Sequence, residues 1–400
     1  MTGTGLYRKL SATTIHEKWE RDNSGSVIPG NREKGTRQEA KASSRMSQES
    51  VSKVYTLDPL QDKRWAELVE RDARSTIFHS VPWLQALRAA YGYQPVVYTT
   101  TPPGTTLANG VVFCDVKSWI TGRRLVSLPF SDHCEPLTSS DAELAAISAE
   151  IGHQLAEKTF KYFEMRPVGE IPAPADLQQV TEVYGFHRLD LTPDLDALFA
   201  AFHKDSTQRK IKRAERDGVV YREGPELLDE FYGLMVTTRK RHRVPPQPKE
   251  WFATLVQQLG SRLAIRVAFY QGRPIAGMLT VHHKKEFVYK YGCSDVRFNN
   301  VGGMHLLYWK SIQDAKEKGC TVFDFGRCDI NQEGLMTFKR RWGAVQSELT
   351  YRRYAISDDQ SLHFPPSSQN WKMRFAEQVF ARCPESLLSL MGRLLYRHVG

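Results

Sequence analysis

The segment Phe323-Asp324-Phe325-Gly326-Arg327 decides the fold of this chain, together with the Gly334-Leu335 pair and the run from Phe338 to Ala344 that follow it. Two phenylalanines around one acid predict a buried strand that ends at the Gly-Arg pair. Gly334 predicts a loop, and after it Lys339 lies between the aromatic residues Phe338 and Trp342. A lysine held in this way is a cation with a fixed position, as stabilisation of a developing negative charge requires.

Apolar periodicity on the amino-terminal side of this segment predicts two modules that look alike. Each module begins with helices and continues with a hairpin, a strand, a helix and a final strand. We therefore predict an α/β (α+β) fold of two tandem domains, each a mixed central sheet flanked by helices. The predicted divisions are a disordered polar extension at 1–50, a first domain at 51–190, a second, catalytic domain at 191–355 and an amphipathic helical appendage at 356–400.

The bulk composition narrows the functional classes. The chain has 400 residues, of which 41% are hydrophobic and 25% charged, as in an ordinary globular protein. Its formal net charge of +10 favours anionic partners, although a basic protein without one stays an alternative. Six scattered cysteines without a CxxC spacing argue against a zinc site or a disulfide framework. We expect no metal and a reducing compartment.

The sequence shows no signal peptide and no apolar run of about 18 residues, so we predict no membrane-spanning helix and a cytoplasmic location. For the appendage, a helix packed on the body and a peripheral contact with the inner face of the cell membrane stay open. We also leave open whether residues 1–45 are translated, because Met46 precedes the first structured segment closely.

A basic helix is predicted at 206–217. At 100° per residue its cations Arg209, Lys212, Arg213 and Arg216 fall within about 100° of arc, opposite an apolar face. Like charges this close repel each other, and a bound anion would relieve the repulsion because Arg binds phosphate bidentately. A solvated basic face is the alternative interpretation.

Three further places could carry chemistry. The Gly302-Gly303 turn opens a long helix, and free amides there could hold a pyrophosphate or an acyl carbonyl. Asp132 and His133 follow a strand in the first module, where they could contact an amine or hydroxyl; a nucleophilic Cys134 is the less favoured alternative. Lys339 is a candidate oxyanion stabiliser, against the alternative of a surface lysine on a loop.

The span from Tyr55 to Tyr354 resembles the FemAB-type acyltransferases, which carry two tandem GNAT-like domains. The resemblance is strongest across 205–344, and it also extends to the FemAB-related proteins of bacterial exopolysaccharide and PEP-CTERM protein-sorting clusters. The segments that carry it are Arg209-Lys-Ile-Lys-Arg-Ala214, Pro274-Ile-Ala-Gly277, Tyr289-Lys-Tyr-Gly292, Phe323-Asp-Phe-Gly326, Gly334-Leu-Met-Thr-Phe-Lys339 and Leu394-Leu-Tyr-Arg-His398.

The resemblance implies transfer of an aminoacyl or acyl group to a primary amine of a phosphate-bearing cell-envelope precursor. It implies that the donor is a co-substrate, aminoacyl-tRNA or acyl-CoA, and that no cofactor is bound tightly. Partners would be that precursor, tRNA and the inner-membrane surface, without DNA. By this analogy Arg209 and Lys210 would hold the acceptor phosphate, Tyr289 or Tyr291 would line the acceptor groove, and Phe338 and Lys339 would meet the donor ester. We predict Arg213 and Arg327 as further substrate-binding residues.

Two departures from the family pattern leave the donor open. No long coiled-coil arm is visible, and the Gly302-Gly303 turn differs from the Gln/Arg-x-x-Gly-x-Gly/Ala loop with which GNAT enzymes hold coenzyme A. One alternative is therefore a coenzyme-A-dependent N-acetyltransferase acting on an amino sugar. Another is a non-catalytic module that binds an anionic polymer or nucleic acid, for which Lys339→Ala would leave binding intact.

Overall fold

The computed structural model describes residues 53–119, 121–174, 177–356 and 385–399. The predicted extension at 1–50 and most of the appendage at 356–400 lie outside these residues. The described strands form one twelve-stranded sheet in the order β1-β2-β3-β4-β5-β12-β6-β11-β10-β9-β8-β7. The strands are β1 (Tyr55–Leu57), β2 (Gln94–Thr99), β3 (Val111–Ser118), β4 (Gly122–Val126), β5 (Phe163–Met165), β6 (Gln178–Asp190), β7 (Val220–Glu223), β8 (Leu263–Tyr270), β9 (Arg273–His283), β10 (Glu286–Ser294), β11 (Val322–Asp329) and β12 (Val345–Ala355).

Helices flank this sheet, and the sequence supplies caps for several of them. Ser80 caps α2 with Pro82 in its first turn, and the left-handed Gly319 closes α8. The helices are α1 (Lys63–Arg71), α2 (Val81–Tyr91), α3 (Asp141–Ala156), α4 (Leu195–Ala201), α5 (Arg209–Arg216), α6 (Leu228–Arg241), α7 (Lys249–Leu259), α8 (Gly303–Glu317), α9 (Glu333–Arg340) and α10 (Glu385–Val399). Among the described residues, none of these is long and apolar enough to cross a membrane.

The sheet repeats itself on either side of its centre. In the first half, residues 53–190, β4 and β5 run parallel with α3 between them in the chain; in the second half, residues 191–355, β10 and β11 run parallel with α8 between them. At the centre β6 lies beside β11 while β12 lies beside β5, so the halves have exchanged their last strands. This arrangement confirms the predicted fold class, whereas the division at residue 190 stays a prediction.

The two halves also share a hydrophobic core. Trp83 of α2 and Trp251 of α7 are fully buried and meet edge to face, with their ring centroids 5.5 Å apart. Tyr91 packs on Trp251 at 5.2 Å, and Phe231 of α6 lies in the same cluster. Aromatic packing therefore joins helices of both halves.

One local prediction was wrong. The sequence predicted a loop at Gly334-Leu335, but residues 333–340 form α9. A glycine in a first helical turn costs little, because the first N–H groups have no partner within the helix anyway. Lys339 therefore sits on a helix and is 2% exposed, which excludes the alternative of a surface lysine on a loop.

Trp251→Ala should lower the free energy of unfolding by about 3–5 kcal/mol, because it leaves a cavity under both halves. Urea unfolding followed by circular dichroism would measure this change. Trp119→Ala is the matched control, since Trp119 is 87% exposed and its removal should cost less than about 0.5 kcal/mol. Equal losses in the two variants would contradict the shared core.

His79 should make the protein less stable in acid. Burial lowers its pKa from 6.5 to about 4, and its ring nitrogens contact the Thr76 amide and the Glu135 carbonyl. As pH falls from 6.5 towards 4, the unfolded chain takes up a proton that the folded chain does not, so stability is lost in this window. His79→Gln should reduce the slope of unfolding free energy against pH there; an unchanged slope would contradict the assignment.

Candidate active site

The two parallel strands of the second half separate where β11 bulges. β10 and β11 are paired from Glu286–Val322 to Val288–Asp324, and the pairing of β11 with β6 shifts register between Asp324 and Arg327. Gly326 adopts a φ of +70° in this bulge, and its amide donates to Asp324 Oδ1 at 2.6 Å. The bulge turns the backbone of β11 at the carboxyl end of the parallel pair, where α/β sheets commonly bind ligands.

Lys339 reaches the bulge from α9. Its Nζ donates to the carbonyl oxygens of Gly326 at 2.6 Å and Arg327 at 3.2 Å. Burial lowers the pKa of Lys339, partly offset by Cys328, Asp324 and Asp132. An ammonium has three N–H donors, and in the described part of the chain no carboxylate forms an ion pair with this one. Two neutral backbone carbonyls therefore hold this ammonium in place.

A cavity of about 340 Å³ opens beside the bulge and is strongly basic. Four cations line it: Arg166 after the end of β5, Arg239 of α6, Lys290 of β10 and Arg327 of β11. Asp132 supplies the single carboxylate of the lining. Three predicted substrate-binding residues, Asp132, Tyr291 and Arg327, are thus brought together here. The lining consists of Phe130, Ser131, Asp132, Arg166, Arg239, Gln247, Lys290, Tyr291, Arg327 and Tyr396.

Asp132 stays ionised in this cavity. Burial alone would raise its pKa, but Lys290 and Arg327 outweigh that effect and hold the pKa below its usual value. Lys290 Nζ lies 3.0 Å from Asp132 Oδ2, and Arg327 Nε lies 3.9 Å from Oδ1. The cavity therefore offers one carboxylate for an amine and several cations for an anionic group.

The cavity is built from equivalent positions of the two halves. Phe163-Glu164 in β5 and Phe323-Asp324 in β11 occupy the same register against the neighbouring parallel strand. Arg166 follows two residues after Glu164, and Arg327 follows three after Asp324, the extra residue being Gly326. The two guanidinium groups lie 4.7 and 5.0 Å from the ring centroid of Tyr351. Both arginines thus reach one cavity from opposite halves of the sheet.

Comparison with known proteins agrees with this architecture. Residues 201–340 match the family model described as acetyltransferase (GNAT) domain. The lipid II:glycine glycyltransferases of Staphylococcus saprophyticus and Staphylococcus aureus are 34% and 30% identical over 84 residues, which are 20% of this chain and 20% of each relative. The chain thus spans about a fifth of the length of the curated relatives it matches. The crystal structure of FemX superposes with a TM-score of 0.54 at 12% identity, covering 72% of this chain and 95% of that one, a likeness of fold.

The chain is therefore similar to the Fem proteins: it shares the fold of FemX, and its residues 201–340 match a GNAT domain. The basic helix α5 of this chain lies apart from the basic cavity. Its buried face, Ile211 and Ala214, is as the sequence predicted. On its exposed face Arg209 pairs with Asp205 and Arg213 with Asp217, both at 3.0 Å. These carboxylates neutralise part of the basic stripe, so its affinity for an anion rests on displacing them.

The Gly302-Gly303 turn is shaped by packing. Gly302 has a φ of +88°, and a Cβ there would lie 2.6 Å from the Lys210 carbonyl oxygen. A Cβ on Gly303 would lie 2.8 Å from Ile275 Cδ1. Glycines therefore let α5 and β9 approach the start of α8. Gly303, Lys210 and Phe338 also line a smaller cavity of about 240 Å³.

The remaining predicted residues lie in other places. Tyr289 stacks on Tyr308 at 4.9 Å, and burial raises its pKa to about 12. His133 turns away from the basic cavity and contacts Asp324. Burial raises the pKa of Cys134 to about 12, which leaves almost no thiolate near neutral pH and excludes it as an activated nucleophile.

Sequence reasoning missed Lys290, Arg239 and Tyr396. Strand alternation predicts that Lys290 and Tyr291 face opposite sides, but a register shift between Tyr289 and Tyr291 brings both to the cavity. Arg239 belongs to a cationic cluster at the end of α6 that the helix dipole already explains. Tyr396 comes from α10 and depends on distant packing, with its hydroxyl donating to the Pro245 carbonyl at 3.1 Å. Only Lys290 could have been found from the sequence, because it is a basic residue between the two candidate tyrosines Tyr289 and Tyr291.

Gly302→Ala should destabilise the protein by about 1 kcal/mol or more, because the left-handed backbone and the Lys210 carbonyl both oppose a Cβ. Thermal unfolding would measure the change. Gly334→Ala in α9 is the control, since a Cβ there meets nothing within 4 Å and should be neutral or stabilising by up to about 1 kcal/mol. A neutral Gly302→Ala would contradict the packing role.

Proposed function

We propose that this FemAB-type chain is an acyltransferase that moves an aminoacyl or acyl group onto a primary amine of a phosphate-bearing cell-envelope precursor. The observation that carries the proposal is the buried ammonium of Lys339, held by two backbone carbonyls beside the basic cavity. A buried unpaired charge is costly to the fold, so its presence favours a role in stabilising charge that forms during a reaction.

The reaction joins two substrates at this bulge. The acceptor amine attacks the carbonyl carbon of the donor, a C–N bond forms, and the carbonyl oxygen becomes an oxyanion beside Lys339 Nζ. Collapse of the intermediate breaks the C–O bond of an ester or the C–S bond of a thioester, and the leaving atom takes up the proton that the amine gives up. Positioning and electrostatic stabilisation supply most of the rate enhancement.

Asp132 and the cations around it are suited to the acceptor. An ionised carboxylate accepts a hydrogen bond from the N–H of the acceptor amine and orients it, and the low pKa of Asp132 makes it a poor general base. Arg239, Arg327 and Lys290 supply the positive field for a phosphate or carboxylate of the same substrate. A muramyl peptide precursor carries an amine and phosphates together, and so does an exopolysaccharide precursor that contains an amino sugar.

The donor is aminoacyl-tRNA in the first form of this proposal. The similarity to lipid II:glycine glycyltransferases supports it, although it covers 84 residues. Acyl-CoA is the second candidate, supported by the acetyltransferase family model and by the cavity of about 240 Å³ at the start of α8. We place the reaction in the cytoplasm at the inner membrane surface, where a lipid-linked acceptor would be reached.

Lys339→Met keeps the length of the side chain and removes its charge, so transfer should fall by about 10² or more in kcat. The assay follows labelled glycyl-tRNA and labelled acetyl-CoA, each offered with lipid II and with soluble muramyl pentapeptide nucleotide. Circular dichroism and thermal unfolding establish that the variant is folded.

Lys63→Met is the matched control, because Lys63 lies exposed on α1 and should leave transfer unchanged. Transfer at the wild-type rate by a folded Lys339→Met protein would contradict the role of this lysine. Transfer from acetyl-CoA and not from glycyl-tRNA would establish the second candidate.

A further inference from the structure

We propose that Asp324 and His133 form a relay of hydrogen bonds that positions Lys339 for the reaction. The inference rests on the proposed function, because Lys339 is the group that the relay serves. Neither residue faces the basic cavity, so both act through Lys339 rather than on a substrate.

The relay consists of three consecutive contacts. His133 Nε2 lies 3.2 Å from Asp324 Oδ2. The other oxygen of the same carboxylate, Oδ1, accepts from the Gly326 amide at 2.6 Å. The carbonyl of Gly326 then accepts from Lys339 Nζ at 2.6 Å. One carboxylate therefore fixes the amide of Gly326, the residue whose carbonyl holds the ammonium.

Asp324 is needed because the bulge breaks the strand ladder. β11 shifts register against β6 between Asp324 and Arg327, so the Gly326 amide depends on a side chain for its partner. A buried amide without a partner is destabilising, so the bulge would rearrange to supply one. A change in the backbone conformation of Gly326 also moves its carbonyl, which holds Lys339.

His133 orients the carboxylate from the first half of the molecule. Its side chain is 1% exposed and lies edge to face against Phe78 at 5.4 Å and Phe186 at 5.3 Å. The two rings hold the imidazole in one orientation, with Nε2 towards Asp324. A loop of the first half thereby controls the bulge of the second half.

The first half provides an internal comparison. Glu164 stands at the equivalent position of β5, and Arg353 Nε and Arg166 Nη2 contact its carboxylate at 2.6 and 2.7 Å. That carboxylate serves two ion pairs. Asp324 instead uses one oxygen on the backbone of an added glycine, which is the contact that a positioning role requires.

The cluster around Asp324 could also bind a metal. Ligand atoms of His133, Asp324 and Glu286 lie within 4.8 Å of one another. Arg188 of β6 lines the same cavity as His133 and Glu286, however, and its charge acts on both. A guanidinium there supplies the positive charge that an ion would bring, which favours the relay.

The first test measures how accessible Lys339 is, without using activity. The full chain is treated with acetic anhydride, and acetylation of Lys339 relative to exposed Lys63 is followed by mass spectrometry. Asp324→Ala and His133→Ala should raise the relative labelling of Lys339 by about tenfold, because the bulge then opens more often. Asp324→Asn and His133→Gln should keep the wild-type value, since each preserves a hydrogen-bonding partner at the same place.

Asp115→Ala is the control for removal of a buried aspartate, because Asp115 lies in β3, far along the sheet, where it pairs with Arg123 of β4. It should leave Lys339 labelling unchanged. His133→Ala keeps the Asp324–Gly326 contact and decides the question if Asp324→Ala does not fold. Wild-type labelling of Lys339 in folded Asp324→Ala or His133→Ala protein would overturn the relay.

The second test uses transfer from glycyl-tRNA to lipid II. Asp324→Ala should lower kcat by about 10–10² with KM unchanged, and should cause no further loss in the Lys339→Met background. A full additional loss in the double variant would overturn the relay. Failure of the wild-type chain to transfer any group would overturn the proposed function, whereas the labelling result would still decide the positioning of Lys339.

A third outcome concerns the metal. The wild-type chain and His133→Ala are each incubated with Zn²⁺ or Mn²⁺ and then dialysed. If the wild-type chain keeps one equivalent of metal and His133→Ala loses it, the three side chains are metal ligands and the relay is overturned. Wild-type chain free of metal after incubation with either ion supports it.

Discussion

The antiparallel pairing of β6 with β12 is the interaction on which the rest of the structure depends. The two strands pair from Arg188–Val345 to Gln178–Ala355, and each also pairs with a strand of the other half. This central pair places Tyr351 between the arginines of both halves, and the Tyr351 hydroxyl donates to the Asp132 carbonyl at 2.6 Å. The basic cavity exists because these two strands are shared.

A single added residue distinguishes strand β11 of the second half from its counterpart, strand β5, in the first half. The run Phe163-Glu164-Met165-Arg166 becomes Phe323-Asp324-Phe325-Gly326-Arg327, with glycine as the insertion. A residue inserted into a strand produces a bulge, and the left-handed φ of Gly326 suits glycine. The bulge exposes the carbonyl that Lys339 contacts. In the described residues between β5 and β6 no helix brings a lysine to the equivalent place.

Much of the fold was predictable from local pattern, and part of the site was not. Apolar periodicity located most helices and strands, and the burial of Ile211 and Ala214 followed from the helical period. The fixed position of Lys339 was readable from its aromatic neighbours, but its helix was not, because Gly334 indicated a loop. Lys290 and Tyr396 depend on a bulge and on distant packing, which local patterns do not encode.

Strand exchange has a consequence for how such a protein can change over generations. If either copy were deleted from the gene, the remaining one would keep a strand with a long row of unpaired amides and carbonyls, which invites aggregation. Trp83 or Trp251 would also lose its partner. The two halves therefore depend on each other once the strands have crossed, and neither can be lost alone without exposing a central strand.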